Sequence, residues 1–331
     1  MLNQPIVVAG AGAIGCFVGG LLAAAGHPVT LLGRPRILDH IRSHGLRLTD
    51  FGGLDCAVDC SDVTLSDDLA CLASARIILV CVKTGDSATI AHAIATHAAP
   101  TATLLSLQNG MEAAQVLRQC LPQFDVRAGM VPFNVVPTTA GSYHRATSGD
   151  IVIEAGPKDI GQHLDTPDLV FTETGRIEAV QWGKLLINLN NGLNALSGLT
   201  LQEQLLSRPW RCIMAAQMAE ALRVLKAHGI SAASTTPLPV GLIPWILRLP
   251  TPLFSRVAAK MLTIDPTART SMSYDLELGK PTEIDALQGL IIDMGAQKSV
   301  PTPMCIRVSQ QIKRAQDAGR GLPNLTPSDL N

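Results

Sequence analysis

Two short stretches hold the residue types best suited to chemistry. The first is Gly10-Ala11-Gly12-Ala13-Ile14-Gly15, between the apolar run Ile6–Ala9 and an alanine-rich segment. A strand, a glycine turn and a helix start are what binding a dinucleotide pyrophosphate requires. Gly10 permits the tight turn, Gly12 lets backbone approach the phosphates, and Gly15 lets the helix pack closely. Glycines also punctuate ordinary turns, but the strand before and the helix after supply the confirming context. The second stretch runs from Trp182 to Asn194 and contains Lys184, Asn188, Asn190, Asn191 and Asn194. Asparagine is a poor helix former, so its recurrence there is not explained by propensity. Lys184, Asn188 and Asn191 share one face of a continuous helix, where they form either a site or a buried hydrogen-bonded seam.

The chain after the glycine segment discriminates between nucleotides. Gly26-His27-Pro28 breaks the first helix, and Val29–Leu32 reads as the second strand. An NAD-binding chain usually ends this strand with a carboxylate for the ribose hydroxyl; here stands Gly33-Arg34-Pro35-Arg36. A guanidinium can fork onto a 2′-phosphate, so Arg34 points to NADP, with Arg36 a weaker candidate. With NADPH bound, the reaction is hydride transfer, and the protein must supply a proton donor and groups that orient the substrate.

Weaker candidates lie elsewhere. Lys83 and Asn109 follow the buried runs Ile77–Val82 and Thr103–Leu107, at strand ends where open α/β sheets bind ligands. A solvated lysine and a simple Asn-Gly turn explain them equally well. A cluster around Ser271 and Asp275 precedes Gly279 and Pro281, which mark the end of one helix and the start of the next. Glu283 then falls in a first helical turn, as part of a site or merely complementing the helix dipole.

The elements that must position these residues follow from pattern. A chain of 331 residues exceeds one typical domain, and 47% hydrophobic with 16% charged content describes a well-buried protein. Strands and helices alternate through the first half, with a hairpin around Gly52-Gly53, a helix near Ser87–His97 and β-rich pieces from Val126 to Glu154. Beyond Gly175 helices dominate: Glu178 to about Leu196, Arg208 to His228, and Pro281 to Ile292 or beyond. The expected fold class is α/β: an N-terminal Rossmann-type doubly wound sheet, residues 1–175, binding NADP, and a C-terminal all-helical substrate domain, residues 176–331. The proline-punctuated stretch 237–252 reads as irregular packing, a lid or a subunit contact.

Composition also excludes classes. A net charge of -1 gives no basic field for nucleic acid and no polybasic membrane patch. No apolar run approaches the roughly 18 residues of a membrane span. The apolar start lacks the charged leader of a signal peptide. The eight scattered cysteines fit a reducing cytoplasm, and no spacing suggests a metal site.

Taken in order, these motifs resemble the ketopantoate reductase (2-dehydropantoate 2-reductase) family over nearly the whole chain. The resemblance rests on the Gly10–Gly15 fingerprint with Arg34, Val82-Lys83, Gln108-Asn109-Gly110-Met111, Trp182-Gly-Lys184-Leu with Asn188, Ser271-Met with Asp275, and Pro281-Thr-Glu283-Ile-Asp285. It implies NADPH-dependent reduction of a 2-oxo acid, giving pantoate for pantothenate and coenzyme A synthesis. By that likeness Lys184 is the general acid on the C2 carbonyl, kept charged by a nearby carboxylate such as Glu283. Asn109, Asn188 and Ser271 hold the substrate, and Lys83 lies near the nicotinamide end. Family members often carry a second asparagine eight residues after the lysine; here Gly192 stands there, flanked by Asn191 and Asn194 as candidate substrate contacts. Expected partners are the 2-oxo acid and no nucleic acid or membrane; a homodimer is compatible with the sequence. Alternatives are a reductase of another 2-oxo or 3-hydroxy acid and a non-catalytic NADP-binding sensor.

Overall fold

The computed structural model describes residues 4–234, 238–319 and 321–330. The chain forms two compact units, Met1–Ile177 and Glu178–Asn331. The first is built on an eight-stranded sheet. In chain order its strands are β1 (Ile6–Ala9), β2 (Val29–Leu32), β5 (Thr64–Ser66), β6 (Ile77–Val80), β7 (Thr103–Ser106), β8 (Asp125–Met130), β11 (Ile151–Glu154) and β12 (Phe171–Thr174). They lie side by side as β12-β11-β8-β7-β6-β1-β2-β5. From β8 to β5 all neighbours are parallel, while β11 runs antiparallel to β8. This mixed parallel sheet with helices on its faces, followed by a helical second unit, is the α/β class read from the sequence.

Parallel strands covered on both faces must be apolar along their whole length. Every residue of β1, β6 and β7 is buried, and Ile6, Val8, Ile78, Leu79 and Leu104 are 0% exposed. Fully burying such a side chain is worth about 1.5–3 kcal/mol relative to leaving it in water. Helices α1 (Ala13–Ala24), α2 (Pro35–His44), α3 (Ser87–His97) and α4 (Ala113–Cys120) accompany these strands. A four-stranded sheet orders β4 (Asp55–Val58), β3 (Leu46–Asp50), β10 (Ser142–Arg145) and β9 (Val135–Pro137); its β3–β4 pair is the hairpin around Gly52-Gly53. A short α5 spans Gly161–Leu164.

Sheet order places the ligand edge. The chain steps outward from β1 through β2 to β5, then returns to the other side of β1 at β6. At this reversal the connections leave in opposite directions and open a crevice at the carboxyl ends of β1 and β6.

The second unit is helical. It comprises α6 (Ile177–Asn188), α7 (Asn190–Ser197), α8 (Leu201–Leu206), α9 (Arg208–Ala227), α10 (Ile243–Leu247), α11 (Thr251–Val257), α12 (Ser271–Glu277), α13 (Leu290–Gln297) and α14 (Pro303–Ala318), with one π-helical turn at Asp285–Gly289. The single helix expected from Glu178 to Leu196 is interrupted at Leu189, although that residue keeps helical torsions (φ -56, ψ -24). Helix start also differs from expectation at Glu283, which lies in a bend immediately before helix begins at Ile284. Of the proline-punctuated stretch 237–252, residue 237 lies outside the described residues. The remainder holds α10 and the first two residues of α11, anchored by Arg211, which donates to the Leu247, Leu249 and Leu205 carbonyls and stacks over Phe254 at 4.1 Å. Among the described residues no helix is long and apolar enough to cross a membrane.

Candidate active site

In the first unit, four loops gather on the carboxyl edge of the sheet. Gly10 adopts φ +117, and a Cβ there would lie 2.7 Å from the Val82 amide nitrogen at the end of β6. Only glycine lets the two strand ends approach so closely while turning the chain. A Cβ on Gly15 would collide with the Gly10 carbonyl. Around Gly12 the reverse holds, because a Cβ there would meet nothing within 4 Å. The amides of Gly10 and Ala11 donate to Leu32, tying the loop to β2. Helix α1 starts with no side-chain cap and no acidic residue in its first turn. The N–H groups of Ala13, Ile14 and Gly15 therefore belong to a helix end whose field favours an anion.

Three further loops join this edge. Gly33 packs against Ala11, and the exposed Arg34 follows as the N-cap residue of α2 with Pro35 at N1. After β6 comes the exposed Lys83, and after β7 the exposed Asn109. Thr84 Oγ1 donates to the Asn109 carbonyl at 2.8 Å, so these two loops are bound together. Gln108, for which sequence reasoning gave no individual role, is the fastener beneath them. Its side-chain nitrogen donates to the carbonyls of Val82 and Lys83 and to Ser87 Oγ, while its oxygen accepts from Ser106 Oγ. A glutamine after an apolar strand was the only available signal, and its partners Val82, Lys83 and Ser87 lie about 20 residues or more away in sequence. Open space at Gly12, uncapped amides and a guanidinium beyond β2 fit a phosphate-bearing dinucleotide.

In the second unit, Lys184, Asn188 and Asn191 are half-buried, whereas Trp182, Leu185, Leu186, Leu189, Asn190 and Gly192 are buried. The three polar side chains thus follow a partly exposed stripe that continues across the helix break. Burial pushes the Lys184 amine from its ordinary 10.5 down to about 8. The residue as a whole is half-buried, and loss of water around the amine disfavours its charged form. The lysine nonetheless stays mostly protonated at pH 7, by roughly ten to one.

Asn194 has a different fate from the one expected. It is 0% exposed, and its carboxamide is fully used. Its nitrogen donates to the Leu199 carbonyl and Gln204, and its oxygen accepts from the Thr270 amide and Ser273 Oγ. Two donors and two lone pairs are the whole capacity of an asparagine side chain. Asn194 is therefore a structural clamp between α7 and the start of α12, which corrects its reading as a substrate contact. The clamp brings Ser271 beside α7, since Thr270 Oγ1 also donates to the Asn191 carbonyl at 3.3 Å. Asn191 and Ser271 both remain half-buried, as does Glu283, whose neighbour Ile284 lies against Gly192.

Two further observations concern the described residues. Among the described residues no group of three or more His, Cys, Asp and Glu side chains is placed to hold a metal ion. A cavity of about 600 Å³ lies at the amino ends of β1, β6 and β7, lined by Arg76, Thr103, Lys158 and His163 among others. It is at the opposite end of these strands from the glycine loop and brings none of the candidate residues together.

The family match decides the lineage. Residues 6–158 match the family described as ketopantoate reductase PanE/ApbA, and residues 176–316 match its C-terminal domain. The chain belongs to the ketopantoate reductase PanE/ApbA family. It is an oxidoreductase. Among curated relatives, 2-dehydropantoate 2-reductase of Halobacterium salinarum is 26% identical, with 95% of this chain and 99% of the relative covered. The enzyme of the same name from Vibrio cholerae is 24% identical, covering 95% and 98%. A PanE/ApbA family ketopantoate reductase from Ralstonia eutropha JMP134 is 29% identical with a TM-score of 0.79, covering 96% of this chain and 100% of that one. The fold also matches D-mandelate dehydrogenase solved with NADH and anilino(oxo)acetate, at 19% identity and a TM-score of 0.75, covering 96% and 99%.

Proposed function

We propose that this protein reduces ketopantoate to pantoate with NADPH, with Lys184 as the general acid. Unit 1 carries the dinucleotide and unit 2 carries the substrate. The observation bearing most weight is the desolvated Lys184 amine, near 8, on a half-exposed stripe with Asn188 and Asn191. A general acid works best when its pKa lies close to the working pH, protonated yet ready to give the proton up. NADPH, when bound, supplies the hydride for the C2 carbon. The Lys184 ammonium neutralises the developing alkoxide and transfers its proton to that oxygen. Asn188, Asn191 and Ser271 offer neutral donors and acceptors to the substrate's carboxylate and hydroxyl, and Glu283 is a second polar group for the same ligand.

In unit 1, the backbone of Gly10, Ala11, Gly12, Ala13, Ile14 and Gly15 holds the pyrophosphate. Arg34 takes the 2′-phosphate, and Lys83 and Asn109 serve the nicotinamide end. Support comes from the open cradle at Gly12 and from Arg34 following Gly33 at the end of β2. The curated relatives named 2-dehydropantoate 2-reductase support the substrate. A reducing cytoplasmic location agrees with eight free cysteines. A homodimer is part of the same reading, in line with the dimeric ketopantoate reductase of Staphylococcus aureus.

The test is NADPH oxidation with ketopantoate beside a panel of 2-oxo acids that includes an aromatic one, repeated with NADH. The highest kcat/KM should fall to ketopantoate with NADPH. A preference of about tenfold for another acid, roughly 1.4 kcal/mol in transition-state binding, would overturn the substrate assignment.

A further inference from the structure

The break between α6 and α7 is held from far along the chain. Gln288 lies in the π-helical turn Asp285–Gly289 and is 0% exposed. Its side-chain nitrogen donates to the Leu189 carbonyl at 2.8 Å and to Gln217 Oε1, on α9, at 3.0 Å. Two acceptors on one side fix which way the amide points. Leu189 is itself the residue at the break, and its own amide donates to Leu185, one residue past Lys184. One continuous path of hydrogen bonds thus runs from Gln288 to the last turn of the helix that carries Lys184 and Asn188.

Gly192 makes the arrangement possible. A Cβ at that position would lie 3.3 Å from Gln288 Nε2, 3.0 Å from Val308 Cγ1 and 3.5 Å from Ile284 Cδ1. Any side chain there would press on the amide that reaches Leu189. A π-turn adds one residue to a helical circuit, and such turns occur frequently at functional sites. Here the turn delivers a side chain to the backbone of another helix.

We infer that Gln288 is a positioning residue for the reduction, holding the Leu189 carbonyl so that the last turn of α6 presents Lys184 and Asn188 in their working geometry. The inference rests on the reading of Lys184 as the acid. Gln288 touches no reacting atom; its influence passes through the backbone, and Gly192 is its steric partner. Small displacements of a proton donor cost much rate, since general-acid transfer needs near-contact geometry.

The experiment compares wild type, Gln288→Leu, Gly192→Ala and Lys184→Ala, using NADPH and ketopantoate. Gln288→Leu keeps side-chain bulk and removes the donor. Its kcat should fall about tenfold while NADPH affinity stays within about twofold. The alkaline limb of its pH profile should move upward from about 8, because a loosened amine regains water. Gly192→Ala, whose gain in helix propensity offsets part of the crowding against Val308 and Gln288, should show the same kcat loss and the same pH displacement while remaining folded. That variant decides the matter if Gln288→Leu does not fold. A folded variant with kcat within about twofold of wild type, or one losing kcat and NADPH affinity together, overturns the positioning role. Full turnover in Lys184→Ala would instead remove the acid itself, a separate failure.

Discussion

A Cβ placed on Gly33 would lie 2.5 Å from the Cβ of Ala11. The end of β2 therefore touches the glycine loop, and the next residue, Arg34, starts from a point fixed against that loop, the proposed seat of the pyrophosphate. Arg34→Ala should weaken NADPH binding about tenfold or more and leave NADH nearly unchanged, because a charge-assisted fork to phosphate is worth roughly 1.5–3 kcal/mol. Titration with both reduced dinucleotides checks this; equal losses would refute the phosphate contact.

The glycines of the loop should separate folding from binding. Gly12→Ala places a methyl group in open space, so it should fold with a midpoint shift of only a few degrees, about 1 kcal/mol for the lost cap preference. NADPH affinity should nonetheless drop at least about tenfold, since the backbone no longer approaches the phosphates. Gly15→Ala drives a methyl into the Gly10 carbonyl and should destabilise the unit itself. Thermal melts with and without NADPH distinguish the two. Normal nucleotide binding by Gly12→Ala would displace the cofactor from this loop.

Lys184 should control the pH dependence of turnover. For Lys184 as the proposed general acid the protonated amine is the active form, so kcat for reduction should fall as pH rises through about 8. Lys184→Ala should lower turnover by about two or more orders of magnitude with NADPH affinity intact. A pH profile flat to 10 would be incompatible with this acid.

The same shift is a statement about stability. The folded pKa, about 8, lies below the ordinary 10.5, so between those values the unfolded chain binds more protons and wild-type stability rises with pH. Below pH 8 the desolvated ammonium costs about 1–3 kcal/mol, less than a fully enclosed charge because part of the side chain meets water. Lys184→Met should therefore be more stable than wild type at pH 7, with the difference shrinking towards pH 10.5. Denaturant titrations at pH 7 and 10 test this, and lower stability of the methionine variant at pH 7 would contradict it.

Asn194 and Asn191, so close in sequence, should behave oppositely. Asn194→Ala removes four hydrogen bonds from a fully buried clamp and should cost about 2–5 kcal/mol of stability. Asn191→Ala should leave stability within about 1 kcal/mol and raise KM for the oxo acid. Urea denaturation beside steady-state kinetics reads both. A stable Asn194→Ala protein with raised KM would restore that residue to the substrate.

Much of this protein was legible in the chain alone, for a local reason. Val29–Leu32 and Ser87–His97 form the strand and helix their apolar runs and breakers indicate, with the stated bounds. The glycine loop was readable because its residues act on each other and on the strand just before them. Hydrogen bonding across long sequence separations was not readable in the same way. Asn191 and Asn194 are the same residue type one helical turn apart, and both flank Gly192 as candidate contacts; Thr270 and Ser273, brought in by the fold, decide that Asn194 is consumed by structure. The helix break at Leu189 is met by a glutamine 99 residues away, and Gln108 joins loops that the sheet order makes neighbours. Residue types set what chemistry is available. Tertiary packing decides which polar atoms remain free to perform it, because every buried donor and acceptor must first be satisfied by a partner.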